Sequence, residues 1–556
     1  MYTRLRVGLL LDTVSLPAWA FTAIERMVGS KHAELALIVL NQSGPKAGST
    51  LPVRWQDLDH WLYHIFNAID EKLFLRDPNA LTQVDTSGIF SNVPVYEVKP
   101  IDEKRKGEQH FSDSDIEKIK SYQPDILVKM GFGKLHGNIL SAATYGVWEY
   151  RWGDPRKIQA GLTGFWEAVE MWPETGAALV RLGVQAEHTQ TLFETWLFTY
   201  PYSPARSRNY ILWSAASYLP RQIERLYRLG GEKYFQELKN SIDEIPTKLK
   251  SNDIPSNPTA LRIMIKLALR NLVEVYHRGF YREEWKLLFS FGHEPEKDIS
   301  KLNQITPSND CFWADPHVIY KEPNYYIFIE EYPYQTRRGH ISVIEMDRKG
   351  NCKQSIPILQ KDYHLSFPCV FEWMGGYYMI PESSERKTID LYECINFPYE
   401  WQPKITLMKN VMAVDSTVFY MHRKWWLFTA IAEQEAAAPQ VELFLFYSNE
   451  LFTDQWHPHP MNPIISDVKR ARGAGSVFLK DGKLFRPSQD CSITYGYGFD
   501  LNEIIVLSET EYCERTVTSV RPVSGKQIIA THTYANQGNL TVIDVLMRRP
   551  KWARST

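Results

Sequence analysis

The spacing of apolar residues changes character twice along this chain. Over residues 7–11 it is an unbroken run, Val-Gly-Leu-Leu-Leu, as in a parallel strand covered on both faces. Over 18–27 the apolar positions recur at helical spacing, and 35–40 reads as a second strand. Residues 125–131 read as a later strand ending in glycine. Strand alternating with helix through about residue 200 predicts a Rossmann-like α/β domain. The spacing then becomes helical. Ile211, Leu212, Ala215, Leu219, Ile223 and Leu226 mark one helix over 209–229. Ile263, Ile265, Leu267, Leu269, Leu272 and Val275 mark another over 260–281. The polar, proline-punctuated stretch 248–258 predicts a loop between them. This pattern predicts a helical connector over 201–284. From Trp285 onward the apolar residues fall into short aromatic-rich strands, and the run 285–290 predicts a strand that closes a sheet formed by the chain's far end.

The strand-rich part repeats itself. Trp313-Ala314-Asp315-Pro316-His317-Val318, Ser366-Phe367-Pro368-Cys369-Val370-Phe371, Val414-Asp415-Ser416-Thr417-Val418-Phe419 and Gly473-Ala474-Gly475-Ser476-Val477-Phe478 each open a unit. Each is followed by a turn and a second strand, such as Tyr325-Tyr326-Ile327-Phe328 or Trp425-Trp426-Leu427-Phe428. A period of roughly fifty residues is that of a four-stranded propeller blade. In that architecture the first strands line one channel, so Asp315 and Asp415 are expected to share a pocket despite their separation in sequence.

Composition removes several classes. In 556 residues the formal net charge is −2, so no global basic field draws nucleic acid. No stretch approaches the 18 consecutive apolar residues of a spanning helix, and the N-terminal run lacks the length and cleavage site of a secretory signal. The six cysteines show no paired zinc spacing. Reduced thiols and a cytoplasmic location are expected, with no metal site. Aromatics make up 13% of the chain, with 17 Trp, and supply flat faces on which sugar rings stack as well as cores for strands.

The residues 125–131, Tyr145-Gly146-Val147-Trp148, Gly161-Leu162-Thr163-Gly164-Phe165-Trp166 and Glu174-Thr175-Gly176-Ala177-Ala178-Leu179 resemble the formyltransferase fold of methionyl-tRNA and sugar formyltransferases, over about the first 200 residues. That family uses an Asn-X-His pair and a later Asp. Here those positions fall at Glu149, Arg151 and near Glu187. A carboxylate repels the oxyanion that the Asn amide would stabilise, and arginine cannot shuttle protons near neutral pH. The resemblance therefore implies a degenerate, non-transferring scaffold; no cofactor, tetrahydrofolate included, is expected.

Ala314-Asp315-Pro316-His317, Ile380-Pro381-Glu382-Ser383, Val414-Asp415-Ser416-Thr417-Val418, Arg486-Pro487-Ser488-Gln489-Asp490-Cys491 and His532-Thr533-Tyr534 carry a second resemblance. It covers about residues 285–546. The pattern is similar to the five-bladed propellers of arabinanase- and fructosidase-type hydrolases. It is closer to the propeller-like domain in front of the transferase domain of plant glucosamine inositolphosphorylceramide transferases. The resemblance implies a carboxyl set of Asp315, Glu382 and Asp415, with Asp315 as base or nucleophile. Phe367-Pro368 stands where the second unit would carry an acid, and Asp415 stands where the hydrolases place Glu.

Arg486, Asp490, His317 and His532 are expected to bind substrate, with Asp490 as the nearest counter-ion for Arg486. Arg470 and Arg472 are expected to add positive charge at the same mouth. Glu330-Glu331 reads as a charge pair at a strand end. The expected architecture is multidomain, α/β plus all-β: a formyltransferase-like domain at 1–200, a connector at 201–284 and a five-bladed β-propeller at 285–556. The expected function is glycosyl transfer or glycoside cleavage in the propeller channel. The expected partners are a sugar, nucleotide-sugar or sugar-phosphate substrate, with no nucleic acid and no membrane span. A non-catalytic glycan- or partner-binding scaffold and an amino-sugar formyltransferase are the alternatives.

Overall fold

A computed structural model describes residues 3–43, 59–103, 108–154, 162–183, 189–238, 254–292, 299–434, 436–522 and 527–552. The chain divides into two compact units, Met1–Leu269 and Arg270–Thr556.

The first unit is built on a seven-stranded sheet. Its order is Gln190–Phe198, Glu174–Arg181, Val147–Trp152, Ile126–Lys129, Leu5–Leu11, Ala33–Asn41 and Val95–Val98. The last five strands are mutually parallel and the first two are antiparallel additions. The continuous apolar run at Leu5–Leu11 occupies an interior position with nearly every side chain buried, which is why it shows no polar alternation. Helix Ala18–Val28 covers the sheet through Trp19, Ala20, Ala23, Ile24 and Met27. The turn after Ile126–Lys129 requires glycine: a Cβ on Gly131 would lie 2.3 Å from the Asp12 nitrogen.

The helix expected over 209–229 is two helices, Pro204–Ala215 and Tyr218–Leu229. Pro220 is the cause, because it lacks an N–H and its ring obstructs the carbonyl of residue 216. The second expected helix runs Asn257–Phe280.

Among the described residues, the second unit contains five antiparallel sheets. The first four follow one another in the chain, with innermost strands Cys311–Lys321, Ser366–Trp373, Ala413–Met421 and Phe478–Lys480. The fifth is assembled from both ends of the unit. Tyr534–Gln537 pairs with Leu540–Pro550, which pairs with Tyr281–Phe291, which pairs with Asn303–Ile305. Trp285 and its neighbours thus lie in the third strand of that sheet, in register from Tyr281↔Pro550 to Phe291↔Leu540.

Apolar faces pack each sheet on the next. Phe328, Ile341 and Val343 meet Val370, Met379 and Tyr392. Ile380, Leu391 and Leu407 meet Val418, Trp425 and Leu427. Trp426, Phe428 and Leu445 meet Ile504 and Tyr512, and Phe499 and Leu501 meet Tyr534 and Ile543. Leu287 and Val542 of the fifth sheet meet Ile327 and Ile344 of the first. The five sheets therefore follow a cyclic order, and the closing pair is made between segments from opposite ends of the unit. The fourth opener differs from the other three: its ladder begins only at Phe478. Gly475, at φ +140°, runs so close to the Tyr534 carbonyl that a Cβ would come within 2.1 Å of its oxygen.

Candidate functional site

Three of the four repeated openers carry the same backbone irregularity. The ladder slips between Ala314 and His317, between Ser366 and Cys369, and between Val414 and Thr417. At each slip one residue has left-handed backbone: Asp315 (φ 52°), Phe367 (φ 43°) and Asp415 (φ 49°). Aspartate tolerates that region and phenylalanine does not, so the surroundings impose it. The bulge frees each residue's N–H from its own ladder. Each N–H then donates to a carboxylate of the preceding sheet. Asp315 donates to Asp544 Oδ2 at 3.0 Å, Phe367 to Asp315 Oδ2 at 3.2 Å, and Asp415 to Glu382 Oε2 at 3.4 Å. Phe367, which brings no carboxyl, thus holds the carboxyl of Asp315.

These bonds gather buried charge at the inner edges of the sheets. Asp315 is 5% exposed and also accepts from Thr533 Oγ1 at 3.0 Å. His532 lies between two acids: its Nδ1 is 2.6 Å from Asp544 Oδ2, and its Nε2 is 3.5 Å from Asp315 Oδ1. Trp285 stacks on its imidazole at 4.0 Å and 15°. Asp544 further accepts the backbone N–H groups of His532 and Thr533, both at 2.9 Å. On the other side, Arg472 grips Asp415 through Nε at 2.5 Å and Nη2 at 3.3 Å, and reaches Glu382 at 3.6 Å. Gln489 Nε2 adds a bond to Asp415 Oδ2 at 3.0 Å. The Arg472 guanidinium also lies 4.8 Å over the Tyr495 ring.

The electrostatics shift these acids to different degrees. Burial pushes Glu382 up to about 8, with the Asp415 charge adding to it. Burial raises Asp315 to about 6, His532 opposing and Asp415 and Asp544 assisting. Burial alone would lower the pKa of His532, but its hydrogen bond to Asp544 and the charges of Asp544 and Asp315 together outweigh it, and the net shift is upward. Burial alone would raise Asp544, and His532 with the two backbone donors reverses that. These shifts favour a protonated Glu382 and an ionised Asp315 near neutral pH, beside the contacts Arg472–Asp415 and His532–Asp544. Pushing paired titratable groups apart in this way is how a site assigns a proton donor and a base.

His317 is buried, with its Nδ1 3.4 Å from the Asp315 carbonyl oxygen and its ring edge-on to Phe367 at 4.9 Å. Burial lowers its pKa to about 4, so it is neutral.

The expected Arg486–Asp490 pair does not form. Residues four apart on one strand are about 13 Å apart, beyond hydrogen-bond reach. Arg486 instead forms a fork with Glu514 at 2.7 and 2.8 Å and donates to the Arg470 carbonyl at 2.7 Å. It lies beside Tyr512, which packs on Phe428 of the third sheet. Asp490 pairs with Arg521 at 2.9 Å. Arg472 does enter the carboxylate cluster, whereas Arg470 pairs with Asp467 at 3.2 Å.

Glu330 is not a strand-end charge. It is paired in register with Ala314, is 7% exposed, and lies 3.4 Å from His364 Nε2. Burial, with Asp315 and Glu382 nearby, raises its pKa. Asp544 was also missed. Its signal is a single acid inside the apolar strand Leu540–Pro550.

In the first unit, Glu149 and Arg151 lie on Val147–Trp152. Glu149 is ion-paired to Lys129 of the adjacent parallel strand and lies 3.8 Å from Arg151 Nε. The carboxylate at the former amide position is thus neutralised by two cations. Glu187 falls outside the described residues.

Residues 299–540 match the family model described as glucosamine inositolphosphorylceramide transferase 1, N-terminal. The glucosamine inositolphosphorylceramide transferase 1 of Arabidopsis thaliana is 35% identical over 218 residues, covering 39% of this chain and 28% of that protein. The corresponding protein of Oryza sativa subsp. japonica is 34% identical over 211 residues, 37% of this chain and 28% of that protein. Among solved structures, a β-xylosidase/α-arabinofuranosidase from a compost microbial metagenome aligns at TM-score 0.33 and 12% identity, over 44% of this chain and 92% of that one. Glycinamide ribonucleotide transformylase 1 from Symbiobacterium toebii aligns at TM-score 0.27 and 11% identity, over 41% of this chain and 90% of that one. The second unit is similar in sequence to the N-terminal region of glucosamine inositolphosphorylceramide transferases, and the chain spans about 28% of the length of those relatives.

Proposed function

We propose that the second unit is a five-bladed propeller whose channel carries glycosyl chemistry, with transfer of a sugar from an activated donor favoured over hydrolysis. One observation carries the reading: Glu382 and Asp315 belong to one buried cluster in which burial pushes Glu382 up to about 8 and Asp315 only to about 6, which favours opposite protonation states at neutral pH. Glycosyl chemistry needs that division, one carboxyl to protonate the leaving oxygen and one carboxylate to act as base or nucleophile. Glu382 takes the first task and Asp315 the second. Asp415, clamped by Arg472 and Gln489, orients the pair. The names of the sequence relatives support a sugar as the ligand class. For the first unit we propose a formyltransferase-type scaffold that binds or positions without transferring a formyl group, since Glu149 is neutralised by Lys129 and Arg151.

A binding scaffold without turnover is the second reading. It is favoured by the full engagement of Asp415 and Asp544 by protein donors.

The test is thermal unfolding of the full chain with nucleotide sugars, sugar phosphates and folates. A ligand at 100 times its Kd stabilises by about 2.7 kcal/mol, so a rise in Tm with a nucleotide sugar or sugar phosphate is expected. Silence from every sugar derivative at millimolar concentration would remove the reading. A response to folates alone would favour the formyltransferase.

The protonated state of Glu382 has its own consequence. Its folded pKa is about 8 against an ordinary 4.5, so between those values the folded state holds a proton that the unfolded chain has released. Stability therefore falls as pH rises through that window, by about 1.4 kcal/mol per pH unit at most. Glu382→Gln fixes the neutral form. The drop in Tm from pH 5 to pH 8 is expected to be smaller in the variant, the remaining slope belonging to the other buried groups whose pKa is raised, Asp315, Glu330 and His532 among them. An identical drop in both proteins would show that Glu382 is ionised when folded.

A further inference from the structure

A cleft of about 1270 Å³ opens in the first unit, larger than the about 300–1,000 Å³ usual for small-molecule sites. It lies across the edge of the seven-stranded sheet at which three parallel strands begin. Arg4, Asp125 and Gly146 line it, each placed just before a strand, Leu5–Leu11, Ile126–Lys129 and Val147–Trp152 respectively. Arg181 lines it too. It is the last residue of Glu174–Arg181, whose antiparallel course brings it opposite Trp148 at the same edge. Glu149 and Arg151 lie further along Val147–Trp152, so the cleft is separate from the altered formyltransferase positions.

The charges in the cleft do not balance. Among its described residues four are cations, Arg4, Arg6, Lys120 and Arg181, and two are carboxylates, Glu34 and Asp125. That is an excess of two positive charges in a chain whose formal net charge is −2. Arg6 already engages both acids: its guanidinium reaches Glu34 Oε1 at 3.0 Å, and its backbone N–H donates to Asp125 Oδ2 at 2.8 Å. Lys120 reaches Glu117 at 3.0 Å on an exposed surface, a weak pair.

Arg181 stands apart from the other arginines that are largely removed from water. Arg472, Arg486 and Arg521 each hold a carboxylate. Arg181 is half-buried, and no hydrogen bond or ion pair holds it among the described residues. Burial pulls its pKa down with no carboxylate to offset the shift. Its guanidinium lies 4.7 Å over the Phe235 ring. Gly146 lets it approach the backbone, since a Cβ there would be 3.1 Å from Arg181 Nε. Contact with a ring face holds a guanidinium while its N–H donors stay available. A partly desolvated cation without a counter-ion is costly, and an anion in the cleft removes that cost.

We infer that this cleft binds a soluble, phosphate-bearing small molecule, whose phosphoryl oxygens take the Arg181 fork while Arg4 and Lys120 face its remaining charge. A guanidinium matches phosphate bidentately, and a phosphate monoester carries about −1.5 to −2 at pH 7, which answers the excess of two. The volume exceeds that of a bare ion, so a phosphate carried on a larger body, as in a nucleoside diphosphate, suits the cleft. The inference does not depend on the chemistry proposed for the channel.

The experiment titrates pyrophosphate and uridine diphosphate into the full chain by calorimetry at low ionic strength, where screening is least. Saturable one-to-one binding is expected, weakened about tenfold or more in Arg181→Met. Arg181→Lys should lie between, because it keeps the charge and loses the fork. Met retains an apolar contact with Phe235, and removing an uncompensated charge should leave the Tm of the ligand-free chain unchanged or higher. A structural arginine would do the reverse: Tm would fall while affinity per folded molecule stayed the same, and that result overturns the proposal. Absence of binding of both probes by the unaltered chain at millimolar concentration overturns it as well. So does equal affinity for succinate, which would make this a carboxylate site, and so does binding only to vesicles containing phosphatidate, which would assign the cleft to a lipid headgroup. Loss of pyrophosphate binding in Arg472→Lys but not in Arg181→Met would place the anion in the channel instead. Should Arg181→Met fail to fold, Arg181→Gln supplies the same comparison.

Discussion

Asp315→Asn lowers turnover of the sugar substrate by about 10²–10⁴-fold, with a much smaller effect on folding. The substitution keeps the shape and removes the charge. Asp315 accepts from the Phe367 N–H and the Thr533 hydroxyl. An Asn oxygen can retain the first bond, and the Thr533 hydroxyl can turn to accept from the new amide. The stability cost is then about 1 kcal/mol, that of one altered hydrogen bond. The backbone also accommodates the change, since φ is 52° at this position and Asn tolerates left-handed backbone as well as Asp does. The measurements are kcat and KM on the substrate identified by the thermal screen, with Tm as the folding control. A kcat within a factor of three of the unaltered protein would show that Asp315 only organises the channel. A fall in kcat with unchanged KM places its role in the transition state. The same variant removes the acid that His532 Nε2 faces at 3.5 Å, so the pH profile of any residual activity should shift to the acid side.

How much of this was legible in the sequence depends on where each residue takes its partner. The repeated openers are visible because the first two strands of each of these sheets are contiguous in the chain and share a spacing. Their bulges were not, since a left-handed residue at Phe367 contradicts its local preference and is imposed by the Asp315 carboxylate of the neighbouring sheet. The fifth sheet repeats no opener because its strands come from 281–305 and 528–550. Asp544 was missed for that reason, although an acid within an apolar strand is a readable signal. The pairing of Arg486 was misjudged because proximity in sequence stood in for proximity on a sheet. Its partner, Glu514, lies two strands away, on the strand Tyr512–Val520. Glu330 reads as a strand-end charge in the sequence, but it lies inside the strand Asn324–Pro333 opposite Ala314 and is buried. In the first unit the strand and helix order followed from apolar periodicity. The departure at Glu149 was also visible, but its neutralisation by Lys129 depends on two strands brought side by side by the fold.

Arg472→Met should be the most destabilising single change in the cluster. The guanidinium is 11% exposed and sits between Asp415 and Glu382. With Glu382 protonated, Arg472 is the only cation bonded to the Asp415 carboxylate among the described residues, and Gln489 alone would then remain as its side-chain donor. Leaving one partner of a buried pair uncompensated costs about 3–5 kcal/mol, and each kcal/mol moves Tm by about 2–4 °C in a large domain. A fall near 10 °C is therefore expected. Arg472→Lys should lie between, because it keeps the charge but not the fork that spans Nε and Nη2. The decisive comparison is the double variant Arg472→Met with Asp415→Asn. Neutralising Asp415 removes the stranded charge, and Asn tolerates the φ of 49° there. The double variant should thus be more stable than Arg472→Met alone, the coupling expected of two residues in one buried hydrogen-bonded pair. Additive losses would mean that solvent or another group already screens Asp415, and a fall in Tm under 2 °C for Arg472→Met would mean the same. If the coupling is found, the arginine is what holds Asp415 in place beside Glu382, and the division of labour proposed for the channel depends on it.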